Sequence, residues 1–357
     1  MISRKELTML TVTAVMAKMV LVFPKLILSN SGSAAWLQVL YNIVCAALVF
    51  VIISWLYVSD GNVIEIAGEV GGKWLKIPTG LIVFAVFMIN FALIIRVFPE
   101  TIKTVLLQEF DTNLITVLFM GAIGTGAALG IESIARVNYI FIPIIGTILA
   151  LLFILLVPHY SIYNLLPIFG TGPKKIFADG FNTISIYSDM LLLNILLPYY
   201  KNAREAKKSI RTVFLITAPI TVMIILAYCL VYPYPVSGEF MIPFYQLSRI
   251  LHLGDFMGRF EPVFQFAWSI LLLLYSSLYV FAMCRVWQTT FDLDFYRPLV
   301  FPVVIISGAI SLLPATLNDI VTNADFENKL AYPAAFLLPV IFGIISKVQE
   351  KKRKAKR

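Results

Sequence analysis

From the N-terminus onward, the chain alternates long apolar runs with short polar breaks. Ten runs stand out, at about 6–28, 35–57, 78–107, 113–130, 134–157, 174–200, 209–233, 262–287, 297–314 and 331–347. An α-helix needs roughly 20 mostly apolar residues to cross a hydrocarbon core, and these runs are of that order. Inside lipid every backbone N–H and C=O must be paired within the protein, so such runs are expected as helices. The pattern predicts an all-α integral membrane protein with about ten transmembrane helices in a single domain spanning 1–357. The stretch 234–261 is broken by Pro235, Gly238 and Pro243 and then reads FYQLSRILHL, apolar and polar at helical spacing. It is expected as a helix along the membrane surface or as a loop helix packed on the bundle. Segment 61–72 has the same character. The first run also invites a signal-peptide reading, with cleavage near Ser33-x-Ala35. Lys18 and Pro24 inside it, with no extracellular domain following, favour a retained helix.

Composition narrows the choice. Of 357 residues, 60% are hydrophobic and 13% charged, and the mean hydropathy is +0.89. An ordinary soluble domain carries about 25% charged residues. The polar residues here are too few to cover a soluble core, which excludes a soluble enzyme, a nucleic-acid-binding domain and a disordered chain. The net charge of +8 is explained by placement. With the ten runs alternating across the membrane, 19 Lys and Arg fall on the side of the N-terminus and seven on the other. Two clusters dominate that bias: Lys201, Arg204, Lys207, Lys208 and Arg211, and the tail from Lys347 to Arg357. Both termini are therefore expected in the cytoplasm. Cys45, Cys229 and Cys284 are scattered through apolar runs, and His159 and His252 lie near loops. No HExxH, CxxC, Walker or GxSxG pattern occurs, so no enzymatic activity, cofactor or metal is expected.

The informative residues are the polar ones inside apolar runs, because charge is expensive there. Lys18 sits mid-way along run one, Asp189 mid-way along run six, and Arg96 two-thirds along run three. Run one also holds Pro24. Run six holds Asn182, Thr183, Ser185, Ser188 and Asn194 before Pro198. Interrupted helices at corresponding places in two halves point to a transporter-type midplane site. The expected architecture is a five-plus-five inverted repeat with broken first and sixth helices. Repeat one covers about 1–157 and repeat two about 174–347, followed by a basic tail, 348–357. The expected ligand-facing residues are Lys18, Met19, Asn90, Tyr187, Ser188, Asp189, Tyr275 and Tyr279. Half-helix dipoles and Lys18 would hold a ligand carboxylate. Asp189 would hold its amine, or pair with Lys18 when the site is empty. Alternatives stand beside each assignment. Lys18 and Asp189 also fit an ion pair that only locks two helices. Arg96, Glu100 and Arg136 are expected as structural or gating charges, Arg96 either snorkelling or paired with Glu100. Gly121, Gly124, Gly126 and Gly130 suggest close helix packing. Tyr275, Ser276, Ser277 and Tyr279 fit a cavity wall or an aromatic core cluster equally well.

Several segments carry a resemblance to a known family. These are ISRKELTMLTVTAVMAKMVLVFPK at the start and SGSAAWLQVL with Gly32, Ala35 and Trp36. IIRVFPETIK follows with Arg96 and Glu100, then GIESIARVNYIFIP with Gly130, Glu132, Arg136 and Pro143, and YNLLPIFGTG with Leu165, Leu166 and Pro167. In order and spacing they resemble the endospore germination permeases, the B subunits of spore germinant receptors in the amino acid–polyamine–organocation transporter superfamily. Asp189 falls where that family usually has an acidic residue. The chain departs at two places: the glycine many members have at the break of span one is replaced around Ala17 and Lys18, and the glycine before the acidic residue of span six is Ser188. The resemblance implies a multi-pass germinant-sensing subunit in the spore inner membrane. It would bind a small polar germinant, an amino acid foremost, and work with an A-type membrane subunit and a lipoprotein C-type subunit. Two rivals are a proton-coupled amino acid transporter and a subunit that conducts water or ions with no ligand of its own.

Overall fold

A computed structural model of the chain describes residues 2–20, 23–56, 61–107, 109–234, 236–240, 243–251, 260–313 and 329–355. Among them, seven helices are long and apolar enough to cross a membrane. These are Phe23–Ile53, Val63–Lys103, Thr112–Leu129, Ile131–His159, Arg204–Val231, Glu261–Phe291 and Lys329–Val348. They fall on runs two to five, seven, eight and ten. Run nine is a shorter apolar helix, Arg297–Ser311. Runs one and six are broken into shorter pieces, and the reasons are local.

Run one divides into α1 (Arg4–Val20) and α2 (Phe23–Ser31). Pro24 occupies the first turn of α2, where a missing N–H costs nothing and its fixed φ suits helix initiation. Two successive helices, α3 (Ala35–Leu56) and α4 (Val63–Val105), follow. The start of α4 is fixed by a capping box, in which Asn62 Oδ1 accepts from Ile64 and Glu65 N–H and Glu65 returns the bond to Asn62 N. Segment 61–72 is thus the opening of the run-three helix. It bends away at Gly71 and Gly72, the latter at φ +61°, a left-handed value that glycine takes without a Cβ clash.

The bundle continues with α5 (Thr112–Leu129) and α6 (Ile131–Leu156), which meet at Gly130, φ +91°. Gly126 lies so close to α11 (Glu261–Phe291) that an added Cβ would stand 2.7 Å from Ser277 Oγ. Gly121 has open space around it, so only part of the glycine row serves close packing. Run six consists of α7 (Pro173–Phe177), a tight 3-10 helix over Asp179–Asp189, and α8 (Met190–Ile195). Then come α9 (Ala203–Val231), α10 (Pro243–Arg249), α12 (Val300–Ser311) and α13 (Leu338–Ala355). In α10, Phe244 and Leu247 are buried, so this helix is packed on the bundle. His252 lies outside the described residues.

The centre is occupied by α11, buried on nearly every face and packed against α1, α4, α5 and α6. A helix apolar all round belongs in a core. By contrast α6 exposes Ile140, Ile144 and Ile154, the lipid-facing side expected of a peripheral span.

Candidate functional site

The 3-10 stretch of run six explains the site. Gly180 is a poor helix former through its backbone freedom, and the short polar side chains of Asn182 and Thr183 are poor ones because they compete for backbone bonds. Thr183 Oγ1 does so directly, donating to Gly180 O at 2.6 Å. A 3-10 run of eleven residues is far longer than the usual three or four. It delivers Ser188 and Asp189 to its inner end, opposite the last turn of α1, which carries Lys18. A cation in that turn complements the unpaired carbonyls of a helix C-terminus.

Lys18 Nζ lies 3.7 Å from Asp189 Oδ1 and donates to Ser188 Oγ at 3.3 Å. Asp189 is only 1% exposed and Lys18 12%. From α11, Tyr275 donates to Asp189 Oδ2 at 3.0 Å and Tyr279 donates to Oδ1. Residues four apart share a helix face, so both hydroxyls reach one carboxylate. Tyr275 Oη also lies 3.2 Å from Asn90 Oδ1 on α4. One phenol proton serves one acceptor, so the Asn90 amide is best turned to donate to Tyr275, which then donates to the carboxylate. Tyr275 and Tyr279 pack ring to ring at 4.7 Å, and Phe87 closes on Tyr279 at 5.1 Å.

Six of the residues singled out from sequence therefore meet in one buried cluster: Lys18, Asn90, Ser188, Asp189, Tyr275 and Tyr279. Two do not. Met19 is buried in the hydrophobic core, and the ring of Tyr187 stacks on Phe214 at 5.4 Å. Arg96 pairs with Glu100 along its own helix at 3.2 Å, and Arg136 with Glu132 at 2.6 Å on an exposed face. Among the described residues, no group of three or more His, Cys, Asp or Glu side chains is placed to share a metal ion.

A second polar network escaped the sequence reading. Thr183 accepts from Gln38 Nε2 at 2.9 Å and from Asn42 Nδ2 at 2.5 Å. Gln38 Oε1 accepts from Ser31 and from Asn30 Nδ2, the latter at 2.9 Å. The network ties α2 and α3 to the 3-10 helix, and Gly180 leaves room for the Gln38 amide 2.9 Å from where a Cβ would sit. Its sequence signal was present: Gln38 and Asn42, four apart, are the amides of an otherwise apolar helix start, AWLQVLYN.

Comparison with known proteins supplies the context. A family model described as "Spore germination protein" matches residues 1–320. Spore germination protein YndE of Bacillus subtilis (strain 168) is 23% identical over 366 aligned residues, covering 99% of this chain and 98% of that one. Spore germination protein A2 of the same organism is 24% identical, over 77% of this chain and 75% of its own. Among solved structures, Mhp1, a nucleobase-cation-symport-1 family transporter in a closed conformation with bromovinylhydantoin, superposes with a TM-score of 0.67 at 15% identity. That match covers 93% of this chain and 77% of Mhp1. MhsT in complex with L-phenylalanine gives a TM-score of 0.63 at 15% identity, over 96% of this chain and 88% of its own. The fold is that of these transporters.

Proposed function

The chain belongs to the spore germination protein family, and from that premise we propose that it senses a small zwitterionic germinant, an amino acid foremost, at the Lys18–Asp189 cluster. The observation that carries this reading is a buried carboxylate and ammonium brought together by two interrupted segments. An amino acid presents the complementary pair of charges. Its carboxylate would take Lys18 and the partial positive charge at the start of α2, and its ammonium would take Asp189 with the two tyrosine hydroxyls turned to accept. In the empty state Lys18 and Asp189 satisfy each other, since either charge alone is costly in low dielectric. Ligand binding exchanges that internal pair for two external ones. This biases the position of α1 against the 3-10 helix, and a ligand shifts such an equilibrium only by its differential affinity for the two states. In this reading the chain lies in the spore inner membrane with both termini cytoplasmic, built as the two repeats described above. An A-type membrane subunit and a lipoprotein C-type subunit would read the shift.

The fold of Mhp1 and MhsT favours one rival, a proton-coupled amino acid transporter using the same cluster. Equilibrium binding of an amino acid panel to the purified chain in nanodiscs, with uptake into vesicles in parallel, separates them. The sensing account predicts saturable binding that Asp189→Asn abolishes, without concentrative uptake. Uptake driven by a proton gradient would favour the transporter. No binding by any member of the panel would remove the amino acid.

A further inference from the structure

We propose that a separate cavity, behind α1, holds one acyl chain of a membrane lipid. The cavity measures about 370 Å³ and lies among α1, α6, α9, α10 and α11. Its α1 wall is Met9, Val12, Thr13 and Met16. At ~100° of turn per residue, Met9 and Met16 lie roughly opposite Lys18 around the helix. Thus α1 presents its ammonium to Asp189 on one face and backs onto the cavity with the other.

The chemistry of the lining selects the occupant. Apart from Thr13 and Trp268 the walls are aliphatic, thioether, aromatic or proline side chains and Gly146. The Thr13 hydroxyl is already committed, donating to Asn138 at 2.6 Å. An apolar cavity of about 150 Å³ stays dry and takes up a benzene-sized molecule. This one is more than twice that size, room for a length of hydrocarbon chain, and a water in it would meet the unpartnered Trp268 indole N–H but few other polar side-chain groups. Its mouth supplies the source. Ile142, Ile145, Ile216 and Ile220 line it while only half-buried, on α6 and α9. Beside them on the same two helices Ile140, Ile144, Leu215 and Met223 are exposed. The opening is therefore continuous with the lipid-facing surface of two spans. A bilayer chain reaches it sideways without crossing anything polar, whereas a water-borne solute does not. Gly146 helps to make the space, because a Cβ there would meet nothing within 4 Å.

Trp268 provides the probe. It lines the cavity and is 2% exposed, so lipid outside the protein does not touch it. The chain is reconstituted in nanodiscs of phosphatidylcholine carrying brominated acyl chains, a contact quencher of indole, and in the unbrominated lipid. The Trp268 share of emission is the difference between the native chain and Trp268→Phe. The expected result is at least a twofold loss of that share in brominated lipid. Gly146→Leu and Ile220→Phe, which fill the cavity from two different helices, should each abolish the loss. Two fillings guard against one of them misfolding. Unquenched Trp268 in the native chain overturns the proposal, as does quenching that survives both fillings. Quenching by a small brominated alkane but not by brominated lipid would also overturn it, assigning the cavity to a free apolar molecule instead.

Discussion

Run eight and the pair formed by runs one and six touch one another, yet they place polar groups in the membrane by opposite means. Run eight is α11, 31 residues of unbroken helix whose backbone is paired within itself. Its polar side chains, Tyr275 and Tyr279, are aimed by regular helical spacing at a target on another segment. Runs one and six are interrupted, and the interruption is where charge is concentrated: Lys18 at the end of α1 and Asp189 at the end of the 3-10 helix. The difference teaches a division of labour. A continuous helix is a rigid template that holds donors at fixed positions. A broken helix has ends that can move with respect to one another, and ends carry the partial charges that favour ions. The template and the movable parts meet at one carboxylate.

That division can be broken by substitution. The largest effect is expected from removing one charge alone. Lys18→Met or Asp189→Asn leaves an uncompensated buried charge or dipole, and breaking a buried pair this way costs about 3–5 kcal/mol. Thermal unfolding in nanodiscs reads this directly, and the template view fails if Lys18→Met unfolds like the native chain. Next comes the carboxylate's support from α11. Tyr279→Phe removes a hydrogen bond to a charged group, worth about 1.5–3 kcal/mol. It should weaken amino acid binding while leaving α11 intact, and an unchanged binding curve would count against the cluster as a ligand site. A smaller and purely structural effect is expected at the α4–α11 contact. A Cβ on Gly80 would lie 1.9 Å from Thr290 Oγ1. Gly80→Ala therefore forces overpacking, at about 1–3 kcal/mol, and should lower stability without altering ligand affinity. If it changes affinity instead, the template is not rigid.

The smallest effect concerns pH. Asp292 caps α11 at φ +54°, a left-handed value that Asp tolerates better than most residues, and it accepts a hydrogen bond from Lys76. That bond and the Lys76 charge hold its carboxyl below the usual carboxylate range. A depressed value means the contact stabilises the folded state at neutral pH and is lost as pH falls through it. The stability difference between native chain and Asp292→Asn should be flat from pH 7 to 5 and vanish only below about pH 4. Screening by solvent keeps it small, since Asp292 is exposed.

Much of the architecture was legible because lipid is an unforgiving solvent. Apolar runs marked most of the spans, and Lys18 and Asp189 stood out because charges are rare there. Tyr275 and Tyr279 were visible as a spaced pair, though a core cluster and a site wall have the same pattern until a carboxylate is placed between them. What stayed hidden was geometry carried by the backbone. The short polar residues of FNTISIYSD weaken an α-helix but do not by themselves specify an eleven-residue 3-10 helix, nor that Tyr187 stacks on Phe214 outside the cluster. The amides Gln38 and Asn42 carry a weak signal because a neutral side chain inside an apolar run looks inexpensive. Only its partner, Thr183, shows what it does. The cavity behind α1 has no sequence signal at all, being defined by what five helices leave unfilled.

The central claim is that Lys18 and Asp189 act as one ligand-sensitive pair. Its most direct test is the germination response of spores that depend on this chain and carry Lys18→Met, Asp189→Asn or both, with subunit levels checked by blot. The account predicts that each single variant loses the response at normal protein level and that the double variant does not regain it, since both ligand contacts are then gone. A double variant that responds like the native chain would contradict it, reducing the pair to a dispensable lock between two helices.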